Sequence, residues 1–266
     1  MERTQPIIRL FAAADARDWA AVRACLAPHV RLDYTSMAGG EPATLTPEQI
    51  TTAWAALLPG FDRTHHQLSD FTDGNPVTFH GHADHWLHGD VWTVDGDYEA
   101  SVEQIDGAWK VTTLTLHLKS QSGNTALPAA AAARVQNRTV VDGFFVALET
   151  SRFAQLKEVF AENGRQLNPY APPGFPASFD GSEAIYRQYS GLTASFGKME
   201  FPRKIYATED PDFFFVQFRG KIEIKAGGTY ENDYLGTFRL SNGRIVEYTE
   251  YFNQVVMAKA FGIALT

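Results

Sequence analysis

The sequence predicts an α+β fold: two tandem domains, each with N-terminal helices packed on one face of a curved antiparallel sheet. Three observations carry that prediction. Helix-spaced apolar residues precede strand-like alternation in the first half, and the same order returns in the second. Each half joins its last two strands with a turn dipeptide, Asp106-Gly107 in one and Asn242-Gly243 in the other. Hydrophobic residues make up 44% of the 266 and aromatics 13%, enough to fill two cores and too much for a disordered chain.

The first domain, residues 1–122, opens with a helix whose Ile7, Leu10, Phe11 and Ala14 share one face. A second helix follows with Trp19, Val22, Cys25 and Leu26 inward, then an extended segment over Val30 to Tyr34. Thr46-Pro47-Glu48-Gln49 starts another helix, with Thr46 as N-cap, Pro47 in the first turn and Gln49 completing a capping box. Strands are expected over 64–71, 77–87, 97–105 and 109–118. A polar break at Ser120 to Asn124 and Pro128 separates the domains. The second, residues 128–266, repeats the order. It has helix faces at Val140 to Leu148 and Phe153 to Phe160, an extended Leu167 to Tyr170, a helix over 182–192 and strands over 201–208, 213–224, 230–240 and 245–253.

Composition narrows the function. A net charge of −8 without a run of Lys or Arg argues against a nucleic-acid partner. The N-terminal residues read as neither signal peptide nor membrane span, so a soluble cytoplasmic protein with no membrane partner is expected. Cys25, the single cysteine, sits on an apolar helix face and is read as core. All eight histidines lie in the first 117 residues. Imidazole is the side chain that both takes and gives a proton near neutral pH, so proton chemistry is expected in the first domain.

Asp18-Trp19, Val22-Arg23, Leu26-Ala27-Pro28 and Arg31-Leu32-Asp33-Tyr34, followed by Thr64-His65-His66 and a strand ending at His85, resemble the scytalone dehydratase family over roughly residues 7–118. Asn232-Asp233-Tyr234, Gly243-Arg244-Ile245 and Glu250-Tyr251-Phe252-Asn253 resemble the SnoaL-like and phenazine-protein branch of polyketide-cyclase-type domains. Both resemblances imply the cone-shaped NTF2-like fold, here in tandem. They also imply pairing of such domains through their sheets, within one chain or in a homodimer. Function varies widely on this fold, so chemistry has to come from the site.

The first resemblance implies three catalytic positions: Asp33, His66 and His85. The family's Ser and Asn on the next strand are replaced by Gly96-Asp97-Tyr98, and its tyrosine before the third helix has no counterpart between Ala38 and Leu45. A naphthol-type substrate is therefore not carried over. Elimination of water β to a carbonyl needs a base, an acid and a donor for the developing enolate. His66 is expected as base, with Asp33 fixing its tautomer, and His85, Tyr34 and Tyr98 as donors. Trp54 and Trp86 are expected to line the pocket around a small apolar or aromatic metabolite. No metal, nucleotide or flavin is required, and no cofactor is expected. A proton shift of ketosteroid type or an aldol-type ring closure would use the same groups. A non-catalytic module that binds a hydrophobic ligand or scaffolds a partner is the alternative from a different class.

Two further features point elsewhere. His80-Gly81-His82-Ala83-Asp84-His85 reproduces the HxHxDH signature of metal-dependent hydrolases, although the later ligands of that architecture are missing and His85 would alternate away from His80, His82 and Asp84. In the second domain, Tyr170, Asn232 and Glu250 form either a second pocket, with burial raising Glu250 to act as base, or part of a degenerate copy that only covers a sheet.

Overall fold

The computed structural model describes residues 2–264 and divides into two compact units at the Val135–Gln136 junction. The first unit runs α1 (Thr4–Ala16), α2 (Trp19–Cys25), β1 (Leu26–Asp33), the single turn α3 (Thr35–Ala38), β2 (Ala43–Leu45), α4 (Pro47–Ala55), β3 (Arg63–Ser69), β4 (Val77–Leu87), β5 (Asp90–Ile105) and β6 (Ala108–Gly123). Helix α5 (Leu127–Glu149) contains the junction. The second unit continues with α6 (Leu156–Val159), β7 (Phe160–Leu167), β8 (Ser178–Asp180), α7 (Ser182–Gly191), β9 (Phe196–Glu200), β10 (Arg203–Ala207), β11 (Phe213–Ile224), β12 (Thr229–Ser241), β13 (Arg244–Phe252) and α8 (Gln254–Phe261). No described helix is long and apolar enough to cross a membrane.

The first sheet has the order β2-β1-β6-β5-β4-β3, and the second β10-β11-β12-β13-β7-β8 with β9 also on β11. Both carry the expected antiparallel meander. Each also contains one parallel pair, β1 with β6 and β7 with β13, at the same place in the repeat. The pair is parallel because the whole meander lies between its two strands, long enough for the crossover that parallel neighbours need. Asp106-Gly107 and Asn242-Gly243 turn with positive φ at both residues, as the hairpin reading requires. A third such turn, His88-Gly89, joins β4 to β5 and starts β5 seven residues before the expected Asp97.

Local signals explain the helices. On α1, Ile7, Leu10, Phe11 and Ala14 are buried, and Arg17 closes the helix in the left-handed region with its N–H on the Ala13 and Ala14 carbonyls. The Thr46–Gln49 capping box is present in full. The expected helix over 153–160 shrinks to a 3₁₀ turn and the four residues of α6. The polar break proves to be the end of β6, whose Ser120 to Gly123 pair with Asp95 to Trp92. The units part at residue 135 rather than near 122–128 because Leu127 and Ala131 bury in the first core. There α5 runs so close to the turn after α4 that a Cβ on Gly60 would sit 2.0 Å from the Ala131 carbonyl oxygen. Later turns of α5 bury Val141, Phe144, Phe145 and Leu148 in the second core.

Candidate active site

The first unit encloses a cavity of about 260 Å³ between its helices and the inner face of its sheet. Alternation along the strands decides what faces it. His66 points inward from β3 while His65 is exposed, His85 points inward from β4, and Trp92, Val94 and Tyr98 do so from β5. Leu32 lines it from β1, Tyr34 from the N-cap of α3, Phe11 from α1 and Trp54 from α4.

The partner of His66 is Asp15. Its Oδ1 lies 2.7 Å from His66 Nδ1 and accepts from Thr64 Oγ1 at 2.8 Å, while Oδ2 accepts the backbone N–H of His66 at 2.8 Å. Burial alone would raise the Asp15 carboxyl, but the hydrogen bonds and charge of His66, with Thr64, hold it below its ordinary value. Asp15 is therefore an ionised acceptor, and the 2.7 Å contact places an Nδ1–H of His66 on its Oδ1. Arg17 fastens this corner by donating to the carbonyls of Asp15, Leu58 and Phe61.

Asp33 does not have the place expected for it. Adjacent strand residues alternate, so with Leu32 inward on β1 Asp33 faces away, and its carboxylate accepts from the N–H and hydroxyl of Thr35. The signal for Asp15 was present in the sequence: it follows Phe11 by four residues and prolongs the apolar stripe of α1 by one turn. Trp86 alternates outward from His85 and carries the Arg63 guanidinium on its face at 3.8 Å; Trp92 occupies the wall instead.

His85 lies edge-on to His66, ring centroids 5.7 Å apart, with Nδ1 3.3 Å from the Trp92 carbonyl. Burial, then the neighbouring His66, lowers it to about 4, so it is neutral at pH 7 and its Nε2 is an acceptor. That geometry does not suit the expected donor role. The Tyr34 and Tyr98 rings meet edge to face, centroids 6.4 Å apart, and burial raises both phenols, so both keep their protons. Tyr98 lines the cavity as a protonated phenol able to donate. The HxHxDH residues behave as alternation requires: His80 and His82 pair with Asp95, Asp97 and Asp84 on the other face of the sheet from His85. Among the described residues no group of three or more His, Cys, Asp or Glu is arranged to hold a metal ion.

The second unit encloses a larger cavity of about 840 Å³ lined mainly by aromatic and aliphatic side chains. Glu250 lines it from β13, with the Tyr248 hydroxyl donating to Oε2 at 2.5 Å. Burial raises this carboxyl to about 7, against the opposing pull of Tyr248. Burial, with the charge of Glu250, pushes the Tyr189, Tyr234 and Tyr248 phenols up, so all three remain protonated. Asn232 is buried beside this wall and donates to the Tyr230 hydroxyl at 2.8 Å. Tyr170 is 53% exposed and packs on Tyr251, outside the cavity. Gln166, Tyr230 and Tyr248 were not anticipated as cavity residues; spacing by two along β13 pairs Tyr248 with Glu250 on one face.

The family model described as phenazine biosynthesis protein A/B matches residues 120–266, and that of a SnoaL-like domain matches residues 4–115. Phenazine biosynthesis protein PhzA1 of Pseudomonas aeruginosa is 33% identical over 134 residues, 48% of this chain and 82% of that protein. The uncharacterized protein YesE of Bacillus subtilis is 31% identical over 108 residues, 40% of this chain and 73% of its own. Among solved structures, a putative isomerase from Bacillus subtilis aligns with 50% of this chain and 97% of its own length, at 24% identity and a TM-score of 0.46.

Proposed function

Starting from a chain that belongs to the phenazine biosynthesis protein A/B family and carries a SnoaL-like domain ahead of that match, we propose a cofactor-independent lyase or isomerase acting on a small apolar metabolite. The first unit's pocket moves the proton. The observation that carries the reading is the Asp15–His66 pair at 2.7 Å on the wall of an apolar cavity.

His66 Nε2 takes the proton α to a substrate carbonyl, and Asp15 stabilises the imidazolium that forms. Tyr98 donates to the enolate oxygen. In a dehydration the imidazolium returns its proton to the β-hydroxyl, which leaves as water while the C–C double bond forms. In an isomerisation the same proton returns to a different carbon. A cavity of about 260 Å³ admits a molecule of one or two rings.

A second reading places proton transfer at Glu250. The observation favouring it is a carboxyl raised to about 7, where a general base at neutral pH is best placed. Comparing metabolites in a cell extract incubated with the unaltered chain, His66→Ala, Asp15→Asn and Glu250→Gln tests both. The first reading expects the product to vanish with His66→Ala, fall steeply with Asp15→Asn and persist with Glu250→Gln. The reverse pattern supports the second. An extract left unchanged by the unaltered chain contradicts both and favours a binding module.

A further inference from the structure

The setting of the Asp15 carboxylate works against its charge. It lies in the last turn of α1, where the negative end of a helix disfavours an anion, and burial raises it further. What offsets this comes from one strand. Thr64 and His66 share a face of β3, and between them they bring three donors. The Thr64 hydroxyl and the His66 Nδ1–H meet Oδ1 at 2.8 and 2.7 Å, and the His66 backbone N–H meets Oδ2 at 2.8 Å. Both oxygens are held, and with them the plane of the carboxylate.

Two of the three donors belong to His66 itself. A carboxylate held at Oδ2 by the backbone alone can turn about its Cβ–Cγ bond and carry Oδ1 away from the ring. The Thr64 hydroxyl opposes that turn, because it grips Oδ1 from a second point on the strand. Its β-branched side chain is stiff at χ1, so the hydroxyl is held in place before it binds. Thr64 is 4% exposed, so losing the hydroxyl would leave Oδ1 a donor short rather than exchange the hydroxyl for bulk water. The other groups around the pair are engaged elsewhere. Arg17 donates to backbone carbonyls, and His85 meets the edge of the His66 ring with its own Nδ1 near the Trp92 carbonyl. Among the described residues Thr64 is thus the one side chain besides His66 that donates to this carboxylate.

We infer that Thr64 is a positioning residue of the first site: its hydroxyl holds Asp15 Oδ1 against His66 and so keeps the imidazole in one orientation on the cavity wall. Its consequence for turnover rests on the first reading above, whereas the clamp itself is a matter of geometry. A readout of the His66 ring without substrate therefore separates failure of one from failure of the other.

The test follows the His66 Nδ1 proton of the full chain by NMR near pH 8, together with product formation in the cell extract. Thr64→Val replaces the hydroxyl with a methyl of the same shape. It should speed exchange of that proton with water about tenfold and lower turnover about tenfold, the worth of one hydrogen bond to a charged group. Thr64→Ser keeps the hydroxyl on a freer rotor and should bring both back to within about threefold of the unaltered chain. Thr64→Ala also lacks the hydroxyl and should repeat the valine result, which keeps the test open if the valine variant does not fold. The inference is overturned if the proton exchanges as slowly in the hydroxyl-free variants as in the unaltered chain, if Thr64→Ser fails to restore it, or if turnover is unchanged while exchange is fast. An extract in which the unaltered chain forms no product overturns the first reading instead, and the proton exchange still decides the role of Thr64.

Discussion

The two cavities grow from one layout and solve opposite electrostatic problems. In the first unit a carboxylate from α1 is paired with an imidazole from β3, and its hydrogen bonds hold it ionised despite burial. In the second, the carboxyl on β13 has a phenol donor and no cationic partner, so burial raises it to about 7. The lesson is that partner, more than depth, decides the charge of a buried carboxyl. One cavity is suited to hold an imidazolium; the other is suited to a neutral acid near pH 7.

The contrast can be broken at its strongest point by substitution. His66→Ala should cut turnover in the extract by roughly 10²–10⁴-fold, the usual worth of a general base, and Glu250→Gln should leave it in place. Equal loss with both would mean that the sites are not separate.

Next in size is packing. Phe144 is 1% exposed and meets the rings of Phe145, Phe160, Tyr189, Phe238 and Tyr248. Phe144→Ala should cost about 3–5 kcal/mol in the second unit alone. All five tryptophans of the chain precede residue 110, so their fluorescence follows urea unfolding of the first unit and should not shift. A large shift in that signal would show that the units unfold together.

The pH dependence should have opposite signs in the two halves. His85 is lowered from 6.5 to about 4, so between those values the unfolded chain binds a proton that the folded one refuses. The first unit therefore loses stability as pH falls through that window, by on the order of 3 kcal/mol. Glu250 is raised from 4.5 to about 7, so there the folded chain keeps a proton that the unfolded one has released. The second unit loses stability as pH rises from 4.5 through 7, by on the order of 2 kcal/mol once the cavity's accessibility is allowed for. Hydrogen exchange at pH 5 and pH 8 reads both units at once. Glu250→Gln should flatten the alkaline slope alone, and His85→Gln the acid slope alone; slopes of one sign would erase the contrast.

The smallest effect sharpens the boundary of the first site. Trp86→Ala should remove only the stack on Arg63, about 0.5–1 kcal/mol by tryptophan-monitored unfolding, with turnover unchanged. Trp54→Ala, on the cavity wall, should lower turnover. If both lower it alike, alternation along β4 is not what sets the site.

Much of the fold was legible because short-range rules carried it. The Thr46 capping box, the apolar stripe of α1 and the turns at Asp106-Gly107 and Asn242-Gly243 are local physics and stand as expected. The parallel pairs β1–β6 and β7–β13 join residues some eighty apart, and no periodicity reports such a contact. His66 and His85 were legible through the family resemblance, and alternation set His65 apart from His66. The partner of His66 was not, because the family resemblance assigned Asp33 to the site although Leu32 inward on β1 turns Asp33 to the other face. Asp15 was overlooked because a carboxylate one turn beyond an apolar stripe reads equally well as a helix-end surface residue. Glu250 was legible as a buried acid; Gln166 was not legible as its neighbour on the cavity wall, since nothing in its flanking residues announces that place.

The central claim is that Asp15 holds the proton of His66 on Nδ1, and nitrogen-15 NMR of the histidine rings tests it most directly. The unaltered chain should show His66 as the Nδ1–H tautomer near pH 8. In Asp15→Asn the backbone N–H of His66 requires the amide oxygen at the Oδ2 position, which turns the amide nitrogen toward Nδ1 and moves the ring proton to Nε2. A His66 signal that is Nε2–H in the unaltered chain, or that does not change on substitution, would contradict the account.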